Sequence, residues 1–456
     1  MKTLAVLIMV TLVTACSSPF GQTAAAPALP YHAVRYAAGA SPIQHVIVIV
    51  QENRSFDNLF YGFPGANTAT QGAGKHGKVY TLQPEPLKWT WDLRHDHPQF
   101  LEDYDNGQVD GFDHQIRKFK TGPKCSDPIN HLICWDIYAG PVIQSMAYAY
   151  VQPADVKPYW AMASQYALGD NTFASNNGPS FPSHQYLIAG RSGHASEVPT
   201  GQPWGCDAAP SITVEVLQYG QAQPPSFPPA TGHETPGPRP CFTYGTIAKL
   251  LDAAKVSWRY YVAPLPNSGS NLSAFDAIQP VRRGPDWNNV VTPDTAILND
   301  ITTGKLQQVS WVMPTGSKSD HSGTDSGNGG PAWVASIVNA VGTSSYWKST
   351  AIIVMWDEWG GWYDHVVPPQ LHDPATRAYE GLGFRVPVII VSPYAKANYV
   401  SHAQHEIASS LRFIEETFNL PSLGGADART DGFDDMFDFT QNPIPFVPIP
   451  ANLDAH

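Results

Sequence analysis

Three short runs of apolar, mostly β-branched residues divide the chain. They span residues 45–50, 351–356 and 386–391. Runs of this length without polar alternation are typical of strands buried on both faces of a parallel sheet. Two further strands are predicted at residues 258–262 and 308–314. Helices are predicted from apolar residues at helical spacing at residues 159–168, 244–254, 330–341 and 406–420. The alternation predicts an α/β fold whose mainly parallel sheet carries helices on both faces.

The rest of the chain predicts loops. It contains 42 prolines and 37 glycines, and only 14% of its residues are charged. Residues 63–145 show no clear period, and residues 200–243 are rich in proline. At 456 residues and 43% hydrophobic, the chain can bury one large core or two modest ones. We expect one catalytic domain over residues 43–445, with insertions near 63–145 and 200–300. A C-terminal tail, 446–456, would follow it.

The first residues predict export. Lys2 precedes the apolar run 4–13, which is too short to span a bilayer but suits a signal peptide. The residues that follow resemble a bacterial lipoprotein cleavage box ending in Cys16. The alternative is an ordinary signal peptide with an incidental cysteine. We expect a lipoprotein signal at 1–16 and a flexible tether at 17–42. No aspartate directly follows Cys16, which favours lipid anchoring at the outer membrane. If the box is not used, the protein would be periplasmic or secreted.

Four further cysteines would then lie in an oxidising compartment. An even number there favours disulfides over zinc. Cys125, Cys134, Cys206 and Cys241 allow three pairings. The pairs Cys125–Cys134 and Cys206–Cys241 are preferred because each closes a short loop.

The net charge narrows the class of partner. A formal charge of −12 argues against a nucleic-acid-binding protein, which needs a basic surface to displace counterions. The same charge repels phosphate-bearing substrates at long range. Such a substrate must therefore be attracted locally, by a cation or by a few basic groups.

Acidic and amide side chains follow two of the predicted strands. Glu52 and Asn53 come after the first run, and Asp357 and Glu358 come after the second. Chemistry in open α/β sheets collects at the carboxyl ends of the strands. If the two strands lie close together, three carboxylates meet and repel one another unless a cation neutralises them. Oxygen ligands favour Ca²⁺, Mg²⁺ or Mn²⁺ over Zn²⁺. From its own segment alone, Glu52 is equally well explained as a side chain that reaches solvent and binds no cation.

A Gly-Pro turn presents the hydroxyl of Ser180 at the predicted start of a helix. Free backbone N–H groups and the helix dipole favour an anion there. His184 lies four residues on, and on a helix it shares the face of Ser180. A hydroxyl needs a base or a metal ion to become a good nucleophile. The alternative is that Ser180 only caps the helix.

Five segments together resemble the phosphoesterase family, which includes bacterial non-specific phospholipases C and acid phosphatases of the alkaline-phosphatase-like superfamily. The segments are residues 52–57, 178–182, 319–321, 357–365 and 383–387. They occur in the family's order over about residues 43–440. The resemblance implies a three-layer alkaline-phosphatase-like fold and a metal-dependent hydrolase of phosphoric esters.

The resemblance also implies roles for individual residues. Ser180 would be the nucleophile. One divalent metal ion would be held by the Ser180 oxygen and by four other side chains, Glu52, Asn53, Asp357 and Glu358. His321 is the best candidate to stabilise the phosphate and protonate the leaving group. His184 and His365 are further catalytic candidates, with a supporting role as the alternative for His365.

Next to His321 lie two candidate substrate-binding residues, Lys318 and Asp320. Some family members carry a histidine where this chain has Lys318. Lysine can bind phosphate but is a weaker candidate proton donor.

Two activities within the family remain open, and both take a phosphate-ester substrate. The first is an acid-phosphatase-type phosphomonoesterase that passes through a phosphoseryl intermediate. The alternative is a phospholipase C that cleaves glycerophospholipids to diacylglycerol and a phosphorylated head group. A remote alternative is a non-catalytic binding lipoprotein. The 13 tryptophans would line a lipid-binding mouth in the second case, or simply pack in the core.

Overall fold

The computed structural model describes residues 41–88, 92–115, 117–121, 135–138, 144–218, 233–264, 272–314, 316–323, 329–372 and 379–451. The predicted signal peptide and all but the last two residues of the predicted tether lie outside these ranges. The predicted Cys125–Cys134 pair also lies outside them.

An eight-stranded sheet forms the centre of the fold. Its strands in chain order are β1 (His45–Gln51), β2 (Ala167–Gly169), β3 (Trp258–Tyr261), β4 (Val290–Val291), β5 (Val309–Val312), β6 (Thr350–Trp356), β7 (Val388–Val391) and β8 (Tyr399–Ser401). Their spatial order is β4-β3-β5-β1-β6-β7-β2-β8. Of these eight strands, β7 alone runs antiparallel to its neighbours. The predicted α/β fold with a mainly parallel sheet is confirmed.

Strands β1 and β6 lie side by side in the middle of the sheet. Every residue of β6 is buried, and so is every residue of β1 except His45. This explains the uninterrupted apolar runs, because neither face of these strands meets water. The two strands are parallel, and Gln51 pairs with Trp356. Their carboxyl ends therefore stop at the same level.

Strand β7 differs from the prediction in direction. The apolar run 386–391 predicted a third parallel strand, but the strand is antiparallel to both β6 and β2. A run that is buried on both faces has the same pattern in either direction, so the sequence pattern could not reveal this. The reversal brings Arg385, just before β7, to the edge where β1 and β6 end.

Nine helices of the described ranges are labelled in chain order. They are α1 (Phe56–Phe60), α2 (His97–Tyr104), α3 (Lys157–Gln165), α4 (Ser180–Ala189), α5 (Ile247–Ala254), α6 (Gln279–Arg282), α7 (Ala296–Thr302), α8 (Gly329–Gly342) and α9 (Ser409–Thr417). Helix α8 packs on α3 and α7, whereas α4 packs on α5 and α9. Helices of the first set also pack on the central sheet, α3 on β2 and β7 and α8 on β6.

Smaller sheets and a second core surround the central sheet. The paired strands are Gln71–Gly74 with Lys78–Thr81, Gln83–Glu85 with Ala149–Val151, Asp92–Leu93 with Arg117–Thr121 and Trp135–Tyr138, Thr172–Phe173 with His405–Glu406, Glu215–Gln218 with His233–Pro236, and Gln370–His372 with Tyr379–Gly381. Aromatic residues of the stretch 63–145, such as Phe100 and Phe112, pack against Trp359 and Trp362 in the second core. This core supports the loop that follows β6.

Several other predictions meet the structure here. Part of the stretch near 200–300 supplies β3 and β4 to the central sheet. The preferred disulfide Cys206–Cys241 is present. Four of the described tryptophans are completely buried, which agrees with core packing for these four: Trp311, Trp356, Trp359 and Trp362. Nowhere in the described ranges is a helix both long and apolar enough to cross a bilayer.

A buried acidic pair behind α4 predicts a pH-dependent stability. Burial, together with the nearby charge of Asp427, raises the pKa of Glu415 to about 9 against the opposing charge of Arg412. In the unfolded chain the pKa is about 4.3. The folded protein therefore retains a proton that the unfolded chain releases, and stability falls as pH rises between these two values. We expect Glu415→Gln to remove a slope of up to about 1.4 kcal/mol per pH unit.

Urea unfolding between pH 5 and pH 9 measures this effect. The neighbouring half-buried Glu416 pairs with Arg412 and provides the control variant Glu416→Gln, which should keep the slope. An unchanged slope in Glu415→Gln would show that Glu415 is ionised in the folded protein.

Candidate active site

The ends of β1 and β6 bring the acidic residues together. The backbone N–H of Asp357 donates to the Gln51 carbonyl oxygen at 3.1 Å, which continues the pairing of the two strands. The Asn53 N–H then donates to Asp357 Oδ1 at 3.0 Å. Glu52, Asp357 and Glu358 are all buried. The structure therefore brings these carboxylates together at the ends of β1 and β6. The sequence pattern did not specify that these two strands are neighbours.

Two left-handed residues shape the turns after the strands. Asn53 has φ 56°, a conformation that asparagine tolerates better than most residues. Gly360 has φ 65°, and a Cβ there would lie 2.2 Å from the Asn53 carbonyl oxygen. The Gly360 N–H donates to Glu358 Oε2 at 2.5 Å. Gly360 is therefore needed for close approach of the two turns.

We expect Gly360→Ala to destabilise the protein by at least about 3 kcal/mol, since it adds a backbone clash to the strain of a positive φ. It should also lower activity, because Asn53 must move. Gly304→Ala is the matched control, since Gly304 has φ 72° but no neighbouring atom within 4 Å of the place that a Cβ would occupy. That variant should lose only about 1 kcal/mol, the strain of an L residue in the left-handed conformation. Thermal unfolding of both variants measures the difference, and equal losses would refute the clash.

Ser180 is the first residue of α4 and follows Pro179. The approach is tight, because a Cβ at Gly178 would lie 2.4 Å from the Ser196 carbonyl oxygen. Ser180 Oγ lies 3.4 Å from Asn53 Nδ2. Asn53 Nδ2 also contacts Glu358 Oε1. The hydroxyl therefore lies at a helix N-terminus and beside the acidic residues.

His184 is one turn further along α4 and ties it to the carboxylates. Its Nε2 lies 3.1 Å from Glu52 Oε1 and 3.5 Å from Asp357 Oδ2. Burial lowers the pKa of His184, but Asp357 and Glu52 outweigh that effect and raise the pKa to about 10. Burial and the Asp357 charge raise the pKa of Glu52. Burial raises the pKa of Glu358 well above its usual range, and Asp357 adds to this.

The residues at this site fit a divalent cation. Asn53 Oδ1 is buried and has no hydrogen-bond partner among the described residues. Rotating the carboxamide by 180° would turn this oxygen toward Ser180 and Glu358. Three buried carboxylates also outnumber the one imidazole between them. A hard cation would use the spare oxygens and remove the repulsion. One of the clusters able to ligate a metal ion is Glu52, His184 and Asp357.

His95 is a member of the site that the sequence patterns did not reveal. Its Nε2 lies 3.3 Å from Asn53 Nδ2 and 3.6 Å from Glu358 Oε1. Its Nδ1 lies 2.7 Å from the Leu93 carbonyl oxygen, so a hydrogen bond there orients the ring. The available signal was the pair His95 and His97 within an otherwise aperiodic stretch.

His321 lies beside His95, with ring centroids 5.5 Å apart and an angle of 74° between the ring planes. It is only partly buried, whereas His95 is buried. Its Nδ1 lies 2.5 Å from the Ser322 carbonyl oxygen. His321 is therefore adjacent to His95 and is the more exposed of the two rings.

His365 belongs to a different network. Its Nδ1 lies 2.6 Å from Asp57 Oδ2, and its Nε2 lies 3.1 Å from Asn67 Oδ1. Burial lowers the pKa of His365, but Asp57 outweighs that effect and raises it. Arg385 joins the same network through Asp57. These contacts favour the supporting role for His365.

Lys318 and Asp320 also make their main contacts elsewhere. Lys318 Nζ lies 2.9 Å from Asp294 Oδ2 and above the Trp333 ring. Asp320 Oδ2 accepts a hydrogen bond from the Tyr159 hydroxyl at 2.8 Å. Burial raises the pKa of Asp320 to about 6. The structure therefore gives both side chains protein partners in place of an open position beside Ser180.

The comparison with known families agrees with this geometry. Residues 43–421 match the model of the phosphoesterase family. The chain belongs to the phosphoesterase family. Membership places it among hydrolases that act on phosphoric ester bonds.

The relatives include named phospholipases. The non-hemolytic phospholipase C of Pseudomonas aeruginosa is 24% identical over 478 aligned positions, which cover 94% of this chain and 62% of that enzyme. Phospholipase C A of Mycobacterium tuberculosis is 25% identical over 426 positions, covering 85% of this chain and 76% of that one. The chain thus spans less than two thirds of the Pseudomonas enzyme.

A solved structure was also matched. It is a protein of the alkaline phosphatase superfamily from Vibrio parahaemolyticus, 12% identical, with a TM-score of 0.35 over 61% of this chain and 64% of that one. A score this low supports no argument, so the fold assignment rests on the strands themselves.

Proposed function

We propose that the protein is a metal-dependent phosphomonoesterase in which Ser180 is the nucleophile and a phosphoseryl intermediate forms. The observation that carries the proposal is that two residues of α4, Ser180 and His184, both lie against the acidic and amide residues that follow β1 and β6. Ser180 Oγ lies 3.4 Å from Asn53, and His184, one turn later, contacts Glu52 and Asp357. A nucleophile, a helix N-terminus and a set of cation ligands thus share one place.

Five side chains would hold the cation: Glu52, Asn53, Ser180, Asp357 and Glu358. A bound divalent ion supplies a Lewis acid that polarises the phosphoryl group and favours the ionised form of a nearby hydroxyl. The oxygen ligands favour Ca²⁺, Mg²⁺ or Mn²⁺ over Zn²⁺. His184 would orient Glu52 and Asp357 from the other side of the site.

The remaining residues bind the phosphoryl group and move protons. Backbone N–H groups at the start of α4 face the phosphoryl oxygens. His95 is buried beside Asn53, and its Nε2 would contact the phosphoryl group. Ser180 loses its proton to solvent and attacks phosphorus while the bond to the ester oxygen breaks, and His321 protonates the leaving alkoxide. Water then attacks the phosphoserine and gives a proton to the neutral imidazole of His321, phosphate departs, and Ser180 takes a proton back from solvent.

The described surface favours small soluble esters. Its exposed large hydrophobic side chains are three valines, Val79, Val367 and Val447, which are far apart in sequence. Among the described residues, four tryptophans are completely buried in the core. Phospholipase C activity is the second candidate, and the named relatives favour it.

Product analysis separates these activities. The purified protein is incubated with 4-nitrophenyl phosphate and, separately, with phosphatidylcholine vesicles. Release of inorganic phosphate from the first, without diacylglycerol from the second, supports the monoesterase. Diacylglycerol release with little phosphate release would establish the phospholipase instead. The absence of both products in the metal-loaded protein would support the non-catalytic alternative.

We also infer that the enzyme is tethered to the outer membrane through Cys16. The lipoprotein cleavage box supports this proposal. Incorporation of labelled palmitate into the wild type, lost in Cys16→Ala, would test it. Equal fractionation of both proteins into the periplasm would exclude the anchor.

A further inference from the structure

The loop that carries His321, residues 318–322, is held by the end of β1. Gln51 Nε2 donates to the Lys318 carbonyl oxygen at 3.0 Å. Gln51 Oε1 accepts from the Asp320 N–H at 3.1 Å. One carboxamide therefore fixes two peptide groups of the loop, much as a neighbouring strand would.

Arg54, three residues after Gln51, also holds the loop 318–322. Its Nε donates to the Asp320 carbonyl oxygen at 2.8 Å, and one terminal nitrogen donates to the Leu87 carbonyl oxygen at 2.8 Å. The guanidinium lies 4.9 Å from the centroid of the Trp362 ring. Arg54 is 1% exposed, so a substrate cannot reach it.

The side chain of Asp320 anchors the loop to the sheet. Its Oδ2 accepts from the Tyr159 hydroxyl at 2.8 Å and from Trp356 Nε1 at 3.1 Å. Trp362 Nε1 donates to Ser322 Oγ at 3.2 Å. The residues on both sides of His321 are thus tied to buried groups.

We propose that Gln51, Arg54 and Asp320 are positioning residues that set the place of His321 relative to the cation ligands. The four consecutive residues 51–54, at the end of β1, have two different roles. Gln51 and Arg54 hold the His321 loop, while Glu52 and Asn53, between them, contribute to the acidic site. One short segment, residues 51–54, therefore both holds the loop of the proton donor and contributes residues to the surroundings of the nucleophile. This inference rests on the proposed function of His321.

If Gln51, Arg54 and Asp320 had a purely structural role, their variants would behave differently from variants of positioning residues. Losing one of these bonds would then lower stability and affect all substrates equally. A displaced proton donor instead slows esters with poor leaving groups more, because those leaving groups need protonation in the transition state. The ratio of kcat/KM for 4-nitrophenyl phosphate to that for phenyl phosphate reports this difference.

Tyr159→Phe and Arg54→Lys test the proposal. We expect each to raise the ratio by on the order of 10-fold, since a displacement near 1 Å has large effects on catalysis. Tyr261→Phe is the matched control. It removes an equivalent hydrogen bond, 2.7 Å long, between a buried tyrosine hydroxyl and Asp300 of helix α7. Its ratio should equal that of the wild type.

A double-mutant cycle separates this inference from the proposed function. In a His321→Ala background, Tyr159→Phe should leave the ratio unchanged, because the residue acts through His321. A high ratio in His321→Ala, with wild-type ratios in Tyr159→Phe and Arg54→Lys, would overturn the inference and leave the proposed function intact. A wild-type ratio in His321→Ala would overturn both the inference and the role of His321 as the proton donor. Thermal unfolding checks folding, and if Arg54→Lys does not fold, Ser322→Ala replaces it.

Discussion

Ser180→Ala is expected to abolish turnover, with kcat falling by on the order of 10⁴-fold or more, because no other group at this position can form the bond to phosphorus. The substitution removes one oxygen from a residue that is 8% exposed, so the fold should be unaffected. Hydrolysis of 4-nitrophenyl phosphate under metal-saturating conditions measures the loss.

Ser183→Ala is the control for that experiment. Ser183 lies on the same helix and is buried, and its hydroxyl donates to Asn176 Oδ1 at 2.7 Å. It should keep most of the activity. Acid quenching during turnover of a substrate labelled in its phosphoryl group should trap label on the wild type and not on Ser180→Ala. Full activity or undiminished labelling of Ser180→Ala would rule out Ser180 as the nucleophile.

Asp357→Asn should have the second largest effect, because it removes charge from the centre of the acidic site without changing its volume. Asp357 contacts His184 and the Asn53 N–H and lies between Glu52 and Glu358. We expect the affinity for the divalent cation to fall by at least about 100-fold. At cation concentrations that saturate the wild type, kcat/KM should fall in parallel. Metal content after dialysis and calorimetric titration measure the affinity independently of activity.

Asp170→Asn is the matched control for this substitution. Asp170 is also buried and also follows a strand of the central sheet, but its Oδ2 accepts from the Asn67 N–H at 2.7 Å. Its metal content should equal that of the wild type. If Asp357→Asn retains wild-type affinity for the cation, the proposed ligand set is wrong.

The strands and several site residues could be predicted because burial on both faces leaves a simple mark in the sequence. The runs at 45–50 and 351–356 correspond to β1 and β6. Polar residues immediately after such runs must lie at a sheet edge. The sequence therefore predicts Glu52 and Asp357 at sheet edges, but it does not predict that the two residues are neighbours. Ser180 was recognisable through its Gly-Pro turn and the helix that follows.

Other features depend on contacts between distant segments. His95 comes from a stretch with no period, and its place beside Asn53 depends on the packing of the second core against Trp359 and Trp362. Lys318 and Asp320 looked suited to a substrate, yet their side chains are directed to Asp294 and Tyr159. The type of a residue shows what it can bind, but not which partner is nearest.

The amino-acid sequence by itself determined the α/β class, the main strands and the chemical types gathered at their ends, since these follow from local hydrophobic periodicity and turn composition. Only the tertiary structure decided that β1 and β6 are neighbours, that β7 runs backwards and that His95 completes the site. Those features depend on which surfaces exclude water together, and segments some three hundred residues apart contribute to that choice.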